Sequence, residues 1–330
     1  MKALVYTAHK EMTYRDEPEP VPGPGDAMIA IDSIGICGSD MHAYLGHDER
    51  RVPPLILGHE AVGRVLEGSQ PGQRVVLNPL ITCGLCQHCL GGRQNLCAKR
   101  DLIGMYRAGA FAEQIAIPER NLITVPEDMD SAEAALTEPG ATGLHAVLLA
   151  ERVSARPLSE AGALVIGAGS VGLLTALILR DKGLVQVEIA ETNPLRRASV
   201  ERHSDIRVFD PLTTATQPAS YDLVFDAVGG AITRDASIVA VKSGGVVVHI
   251  GLMDNQGSLD ARSMTLREIT FIGTYTYTSV DLRVTLQKLY SGALGKLDWV
   301  EQRPLSQGAE AFAELHQGQC AAPKVVLNTS

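Results

Sequence analysis

A glycine-rich turn between two apolar runs constrains this chain more than any other feature. Residues 161–179 carry no charge and are about long enough to cross a bilayer, but Gly167, Gly169 and Gly172 divide them. A strand, a tight turn and a buried helix therefore fit this stretch better than a membrane span. The glycines follow the spacing G-x-G-x-x-G, which permits the turn, close approach of the backbone to a pyrophosphate and packing of helix on strand. The sequence predicts a dinucleotide site here.

The residues after this turn alternate between strand and helix patterns. This alternation predicts an α/β fold with a doubly wound parallel sheet. The predicted strands cover residues 163–166, 186–190, 222–226 and 245–250, and the predicted helices cover residues 171–182, 195–203 and 232–241.

Cofactor choice depends on the end of the second predicted strand, where Glu191 lies. A carboxylate there can bond both ribose hydroxyls and repels a 2′-phosphate, which favours NAD over NADP. Arg196 and Arg197 follow closely and leave some use of NADP open. Ser170 and Val171 begin the helix whose N-terminus is expected to stabilise the phosphate charge.

The first part of the chain differs in composition and in its predicted secondary structure. Pro and Gly are frequent in residues 18–25, and short strands are predicted over residues 28–34, 60–66 and 74–77. These features indicate an irregular β-rich domain with sites on its loops. The helical spacing of residues 132–149 is interrupted at Pro139 and Gly140, where this domain is expected to end. Helices over residues 281–290 and 308–317 and a strand over 324–327 are predicted for the end of the chain.

Two groups of residues have the character of metal ligands. Four of the six cysteines form the pattern Cys-x2-Cys-x2-Cys-x7-Cys, which suits one structural zinc ion. Cys37 and His59 offer a second set, which Glu60 or Glu138 could complete while one position stays open for water or substrate. Asp40 is a candidate for orienting the His59 imidazole. The four clustered cysteines are Cys83, Cys86, Cys89 and Cys97.

Composition and net charge indicate which kinds of partner and which cellular compartment to expect for this protein. A chain of 330 residues suggests two domains, and its net charge of −9 argues against a nucleic acid partner. The N-terminus lacks the apolar core of a signal peptide, and no membrane association is expected. Clustered thiols without such a signal indicate the reduced cytoplasm.

Together these segments resemble the zinc-dependent medium-chain dehydrogenase/reductase family over nearly the whole chain. The motifs that carry the resemblance are GICGSD at residues 35–40, GHE at 58–60, the four-cysteine lobe, GAFAE at 109–113, the glycine turn, FDAVG at 225–229 and GGVVVHIG at 244–251. The resemblance implies a GroES-like catalytic domain over residues 1–140, to which residues 275–330 return, and a Rossmann NAD-binding domain over residues 141–274.

The resemblance also implies roles for individual residues. It places the catalytic zinc on Cys37, His59 and Glu138, with Glu60 as an alternate ligand, and the structural zinc on the four clustered cysteines. Ser39 matches the hydroxyl that takes the substrate proton, and His42 matches a relay to solvent. Further cofactor contacts are implied at Ala227, Val228, Ile250, Leu252 and, with a weaker match, Lys324.

The activity that the resemblance implies is NAD-dependent interconversion of a secondary alcohol and its ketone. Glu138 stands where alcohol dehydrogenases of the family often have Cys, which favours a polyol, sugar alcohol or sugar acid as substrate. We expect a homodimer or homotetramer, with residues 266–277 as a candidate interface. The alternatives are a zinc-free quinone or enoyl reductase of the same fold and a zinc-ribbon nucleotide-sensing protein. Pocket residues are proposed at Tyr44, Leu45, Met105, Tyr106 and Tyr275.

Overall fold

The computed structural model describes residues 1–329 as two β-sheet domains with flanking helices. The first strands are β1 (Lys2–Ala8), β2 (Glu11–Asp16), β3 (Asp26–Gly35), β4 (Leu55–Ile56), β5 (Glu60–Glu67), β6 (Arg74–Leu77), β7 (Leu80–Ile81), β8 (Asp101–Leu102), β9 (Gln114–Pro118) and β10 (Leu122–Thr124). The later strands are β11 (Gly162–Ile166), β12 (Gln186–Ala190), β13 (Arg207–Phe209), β14 (Tyr221–Asp226), β15 (Val241–His249), β16 (Thr270–Gly273), β17 (Val300–Pro304) and β18 (Lys324–Asn328).

Ten α-helices connect and flank these strands in residues 1–329. They are α1 (Gly38–Tyr44), α2 (Gln87–Leu90), α3 (Ser131–Ala135), α4 (Thr137–Val153), α5 (Ser170–Asp181), α6 (Pro194–His203), α7 (Ala231–Ala240), α8 (Ala261–Leu266), α9 (Ser279–Tyr290) and α10 (Gly308–Gln317). None of these helices is both long enough and apolar enough to cross a membrane.

The later strands form one six-stranded parallel sheet in the order β13-β12-β11-β14-β15-β16. Every residue of β11 is buried, as expected for a central strand covered on both faces by helices. The strand order reverses between β11 and β14, so the crevice at their carboxyl ends is where such folds bind ligands. The α/β doubly wound fold predicted from the sequence is confirmed.

The other large sheet combines both ends of the chain. Its order is β10-β6-β5-β3-β18-β17, and β9 pairs with the outer half of β3. Strand β18 pairs antiparallel with the end of β3, which brings residue Lys324 close to the segment that leads into α1. The chain therefore returns to its first domain through its last strands.

The packing of the last helices bears on where the chain returns to its first domain, which the sequence places at residue 275. Leu286, Leu289 and Trp299 pack into the same core as Val165 of β11, whereas Leu305 and Phe312 join the core of the first domain. We therefore propose that the boundary of the returning segment lies near residue 300. The apolar face of α9 packs on α4, and this contact keeps the helix with the parallel sheet.

The interruption of the helical stretch also lies elsewhere than predicted. Helix α3 ends at Ala135, with Leu136 as the residue between the two helices, and α4 continues through Pro139 and Gly140. Pro139 is the third residue of α4, a position whose N–H has no partner within the helix, so the ring is tolerated there. Glu138 consequently lies in the first turn of a helix and not in a connecting loop.

Candidate active site

The first cluster of candidate ligands forms where two chain segments meet in the first domain. Cys37 immediately precedes α1, His59 precedes β5, and Glu60 is the first residue of β5. One donor atom from each of the three lies within 4.8 Å of the others, and His59 and Glu60 are buried. A thiol, an imidazole and a carboxylate at this separation fit the preference of zinc for mixed sulfur, nitrogen and oxygen donors.

The His59 ring is held between two polar groups. Its Nε2 lies 3.5 Å from the Ser39 hydroxyl oxygen, and its Nδ1 lies 3.4 Å from Oδ1 of buried Asp40. Asp40 in turn accepts a hydrogen bond from the Cys37 amide at its other oxygen, at 3.0 Å. Asp40 thus orients the imidazole so that Nε2 faces the cluster, the role expected of a carboxylate behind a ligand histidine.

Electrostatics around His59 favour a tightly held ring. Burial alone lowers the pKa of the His59 imidazole, but the charges of Asp40 and Cys37 outweigh burial and hold that pKa well above its usual range. Asp40 Oδ1 and His59 Nδ1 also have no hydrogen-bond partner that meets strict geometry. These two atoms lie 3.4 Å apart behind the imidazole, so their contact leaves Nε2 on the side of the cluster as the ring nitrogen that could bind a cation.

Glu60 is engaged at one oxygen and free at the other. Its Oε2 pairs with the Lys324 ammonium at 2.5 Å, and Lys324 also donates to the Ile36 carbonyl at 2.9 Å. Its Oε1 is buried and has no hydrogen-bond partner. The Lys324 side chain is only 1% exposed. The Lys324 ammonium is thus paired with a buried carboxylate and a buried carbonyl at the residue where the resemblance implies a cofactor contact.

Glu138 lies near this cluster without belonging to its closest set of donors. Its Oε1 accepts a hydrogen bond from the hydroxyl of Tyr277 at 2.8 Å. Burial, reinforced by the charge of Glu60, raises the pKa of Glu138 to about 7. The structure thus offers two glutamates, of which Glu60 has the free buried oxygen.

Arg51 is a functional candidate that the sequence did not single out. Its guanidinium is buried and donates to the hydroxyl and the carbonyl oxygen of Ser39, at 3.3 and 3.1 Å. It also pairs with Asp48 at 2.6 Å and donates to the Gly104 carbonyl at 2.9 Å. Its position in the run Asp48-Glu49-Arg50-Arg51 is typical of an exposed loop, so no local pattern indicates that one of these arginines is buried.

His42, the residue expected to relay the proton from Ser39 to solvent, lies one helical turn after Ser39 on α1. Burial, together with the nearby charges of His47 and Arg51, lowers the pKa of His42. Its imidazole is therefore mainly neutral near pH 7 and able to accept a proton. The described residues provide no direct hydrogen bond between Ser39 and His42.

The four clustered cysteines converge in a lobe around α2. Their neighbouring sulfur atoms are 3.5–3.9 Å apart, at the pairs 83–97, 86–89 and 83–89. Four thiolates around one zinc at a bond length of about 2.3 Å give sulfur–sulfur edges of about 3.8 Å. Backbone amides that point at the Cys83 sulfur lower its pKa to about 6. The lobe therefore fits a structural zinc.

The lobe yields a stability prediction. We expect Cys89→Ser to remove one zinc per chain and to lower the free energy of unfolding by about 2–3 kcal/mol, the size of the linkage that a tightly bound metal supplies. Metal analysis and urea unfolding would measure both effects. Unchanged zinc content and unchanged unfolding in this variant would contradict a structural metal role.

The glycine turn lies at the carboxyl end of β11, as predicted. Gly167 has a φ of +96°, and a Cβ on Gly172 would lie 1.9 Å from the Gly167 carbonyl oxygen, so both positions require glycine. Helix α5 begins at Ser170, and no side chain caps its N-terminus. The free amides of Ser170 and Val171 are thus available to a phosphate.

Glu191, which directly follows β12, contacts the backbone of the glycine turn. Its two carboxylate oxygens accept hydrogen bonds from the amides of Ala168 and Asn193, each at 2.8 Å. The Arg196 guanidinium lies 3.5 Å from the same carboxylate. The position therefore combines a fixed negative charge with one adjacent positive charge.

The other expected cofactor contacts come to the same edge of the parallel sheet. Ala227 and Val228 follow β14, and Ile250 and Leu252 follow β15. Asp226, the second residue of the FDAVG motif, holds this turn: its Oδ1 accepts hydrogen bonds from the Val228 and Gly229 amides at 3.0 and 2.8 Å.

A cleft of about 150 Å³ lies between the cysteine lobe, the loop after β8 and the end of β16. Three of the five proposed pocket residues, Met105, Tyr106 and Tyr275, line it. The other two are placed differently: Tyr44 stacks on Phe312 with ring centroids 5.4 Å apart, and Leu45 packs on the same core. Tyr44 is the last residue of α1 and Leu45 caps the helix, so both lie at the end of α1 that packs on this core. The residues that line the cleft are Arg50, Ala98, Arg100, Asp101, Leu102, Met105, Tyr106 and Tyr275.

Comparison with known proteins gives matches over both domains. Residues 23–127 match the model of the alcohol dehydrogenase GroES-like domain, and residues 170–291 match that of the zinc-binding dehydrogenases. The chain is 31% identical to the L-galactonate-5-dehydrogenase of Escherichia coli K12 over 85% of each chain. It is 29% identical to an L-threonine 3-dehydrogenase of Xanthomonas axonopodis pv. citri over 99% of each chain.

Among solved structures, the acetophenone reductase of Geotrichum candidum in complex with NAD superposes with a TM-score of 0.88. The two chains are 28% identical, and the match covers 99% of this chain and 96% of the reductase.

Proposed function

The chain belongs to the zinc-dependent medium-chain dehydrogenase/reductase family of alcohol and polyol dehydrogenases, and from that premise we propose that it is a zinc-requiring, NAD-preferring dehydrogenase of secondary alcohols. The observation that carries the proposal is the Ser39 hydroxyl, 3.5 Å from the ring nitrogen of His59 within the Cys37–His59–Glu60 cluster. A proton acceptor thus lies beside a site whose donors suit a Lewis acid.

Cys37, His59 and one glutamate would hold the catalytic metal, and we favour Glu60 because its Oε1 is buried without a partner. Bound zinc supplies Lewis acidity, which makes an alcohol hydroxyl acidic near neutral pH. The nicotinamide cofactor supplies the redox chemistry by accepting the hydride.

The chain's own residues bind and move the proton. Ser39 Oγ accepts the proton of the substrate hydroxyl as the Ser39 hydroxyl passes its own proton on, and the Arg51 guanidinium, which donates to Ser39 Oγ at 3.3 Å, holds this oxygen in position. The proton then passes by way of water to His42, because Ser39 and His42 share no direct hydrogen bond; the lowered pKa of His42 provides a neutral acceptor one turn along α1. Asp40 keeps the His59 ring in place through these steps.

The test is an assay of NAD reduction with a panel of polyols, sugar acids, amino alcohols and simple alcohols. We expect metal-dependent formation of NADH on a secondary alcohol, and loss of that activity after treatment with a chelator. Turnover that survives complete metal removal would instead support a zinc-free reductase on the same fold. The relatives that act on L-galactonate and L-threonine make polyhydroxy acids and amino alcohols the first compounds to try.

Preference for NAD is expected to depend on the charge of Glu191. In Glu191→Gln, we expect the ratio of kcat/KM for NADP to that for NAD to rise roughly tenfold or more, because a repulsion between two negative charges is removed. Steady-state kinetics with both cofactors would measure this ratio. Glu201→Gln on exposed α6 makes the same charge change and serves as the control. An unchanged ratio in Glu191→Gln would show that this carboxylate does not select the cofactor.

We also propose that the protein forms a dimer through strand β16. This strand is the last of the parallel sheet, and within residues 1–329 it pairs with no strand except β15. Its unpaired backbone edge offers hydrogen bonds to the same strand of a second copy. Light scattering of the purified protein would give the number of subunits.

A further inference from the structure

The cleft beside the active site carries more positive than negative charge. Two of its lining residues are arginines, Arg50 and Arg100, and one is an acid, Asp101. Asp101 is neutralised from outside the cleft by Arg107 at 2.7 Å. The acid therefore does not compensate either of the two lining arginines.

The charges of Arg50 and Arg100 are only partly balanced by other residues. Asp48 pairs with Arg50 at 2.7 Å and also with Arg51 at 2.6 Å, so one carboxylate serves two guanidinium groups. Arg100 lies over the Tyr275 ring, 4.6 Å from its centroid, and donates to the Cys97 carbonyl. No carboxylate of residues 1–329 pairs with Arg100. Two positive charges therefore remain uncompensated in and beside the cleft.

This cleft lies next to the reactive cluster, the set formed by Cys37, His59 and Glu60 with Ser39 and Glu138 beside it. Arg51, next to the lining residue Arg50, donates to Ser39 Oγ and to the carbonyl of Gly104, which precedes the lining residue Met105. On the other side, Tyr275 lies two residues before Tyr277, whose hydroxyl bonds to Glu138. On both sides, residues next to those that line the cleft thus contact Ser39 or Glu138.

The positive cleft also contrasts with the chain as a whole, whose net charge is −9. A cleft of one sign in a protein of the opposite sign attracts and orients ligands of complementary charge. Guanidinium groups suit this purpose because their planar arrays of N–H donors match the oxygens of carboxylates and phosphates. Of the Arg100 donors, only Nη1 has an acceptor within the described residues.

We propose that this cleft binds an anionic group at the non-reacting end of the substrate, so that the substrate is a hydroxy acid or a phosphorylated polyol rather than a neutral polyol. The inference rests on the proposed dehydrogenase function and deepens it. Arg100 provides the free donors, and Arg50 contributes the second positive charge. The volume of about 150 Å³ suits a carboxylate or phosphate with one or two carbon atoms attached.

The experiment uses the zinc-loaded enzyme with NAD and three matched substrates: a hexitol, the aldonate of the same configuration and the hexitol phosphate. Arg100→Gln and Arg50→Gln are compared with the wild type and with Arg152→Gln, which removes the same charge from an exposed position at the end of α4. For each protein, kcat and KM are measured at low and at high salt. Zinc content and melting temperature are recorded alongside.

We expect the wild type to prefer one of the anionic substrates to the hexitol by about tenfold or more in kcat/KM, as a charged hydrogen bond allows. Arg100→Gln should reduce that preference by about tenfold, mainly through KM, and Arg152→Gln should not. Salt should raise KM for the anionic substrate more than for the hexitol. The larger preference, for aldonate or for phosphate ester, identifies the group that is bound.

Two outcomes would refute the anion site, and a third would refute the proposed function alone. Equal preference for neutral and anionic substrates, unaffected by Arg100→Gln, would refute the anion site and leave the dehydrogenase function standing. Loss of zinc in Arg100→Gln with an unchanged preference would refute it too, and would show that Arg100 serves the thiolates of the lobe. If no alcohol is oxidised, thermal stabilisation of wild type but not of Arg100→Gln by the aldonate would uphold the anion site while the proposed function falls.

Discussion

Cys37→Ala and His59→Ala are expected to lower turnover by on the order of 10⁴-fold or more while leaving the fold intact. The loss is large because Lewis-acid stabilisation of the developing alkoxide is worth several kcal/mol, and each 1.4 kcal/mol corresponds to about a factor of ten in rate. Both side chains lie in the compact donor set with Glu60, so removing either leaves two donors. Initial rates of NADH formation, together with metal analysis, would measure the effect.

The matched control for these variants is Cys320→Ala. Cys320 is a buried thiol outside both donor clusters, and its sulfur faces Glu301 at 3.7 Å. We expect its replacement to leave turnover and zinc content unchanged. The Cys37 and His59 variants should lose one zinc of two and keep the circular dichroism spectrum of the wild type. Either variant retaining wild-type activity with one zinc lost would contradict the proposed site.

The cofactor half of the molecule could be predicted closely from sequence because its signals are local. The predicted strand over residues 186–190 is β12 itself, and the helix predicted from residue 171 begins at Ser170. Glycine spacing fixes the turn, and helical periodicity fixes the element that follows it. These signals need no knowledge of distant parts of the chain.

The break between α3 and α4 shows where local signals mislead. A Pro-Gly pair such as Pro139 and Gly140 normally signals a break in a helix. Both residues nevertheless lie within the first turn of α4, where proline is compatible with helical φ and needs no N–H partner. The residues before them therefore determine the break. A pattern alone does not tell a first helical turn from a helix interior.

The polar partners of the reactive cluster could not be predicted for a different reason. Lys324 and Glu60 are 264 residues apart in the chain, and they meet because β18 pairs with β3. Arg51 is buried only because Gly104 and Ser39 fold around it. Such contacts depend on strand pairing over long distances, which a single sequence does not encode in any spacing.

The pair of Lys324 and Glu60 leads to the largest expected effect on stability. We expect Lys324→Met to lower the free energy of unfolding by about 3–5 kcal/mol, because the carboxylate of Glu60 would remain buried without its counter-charge. Both side chains are at most 1% exposed, and the Ile36 carbonyl would lose its donor as well. Urea unfolding at neutral pH, followed by circular dichroism, would measure the change.

Two further variants separate burial from pairing as the cause. Lys182→Met breaks the pair with Glu151, which has the same length of 2.5 Å but lies 23% and 42% exposed, and it should cost no more than about 1 kcal/mol. Combining Lys324→Met with Glu60→Gln removes the buried charge and should recover much of the lost stability. If Lys324→Met costs no more than Lys182→Met, the Glu60 carboxylate is compensated without the lysine, and a cation held at its free Oε1 becomes the remaining source of that compensation.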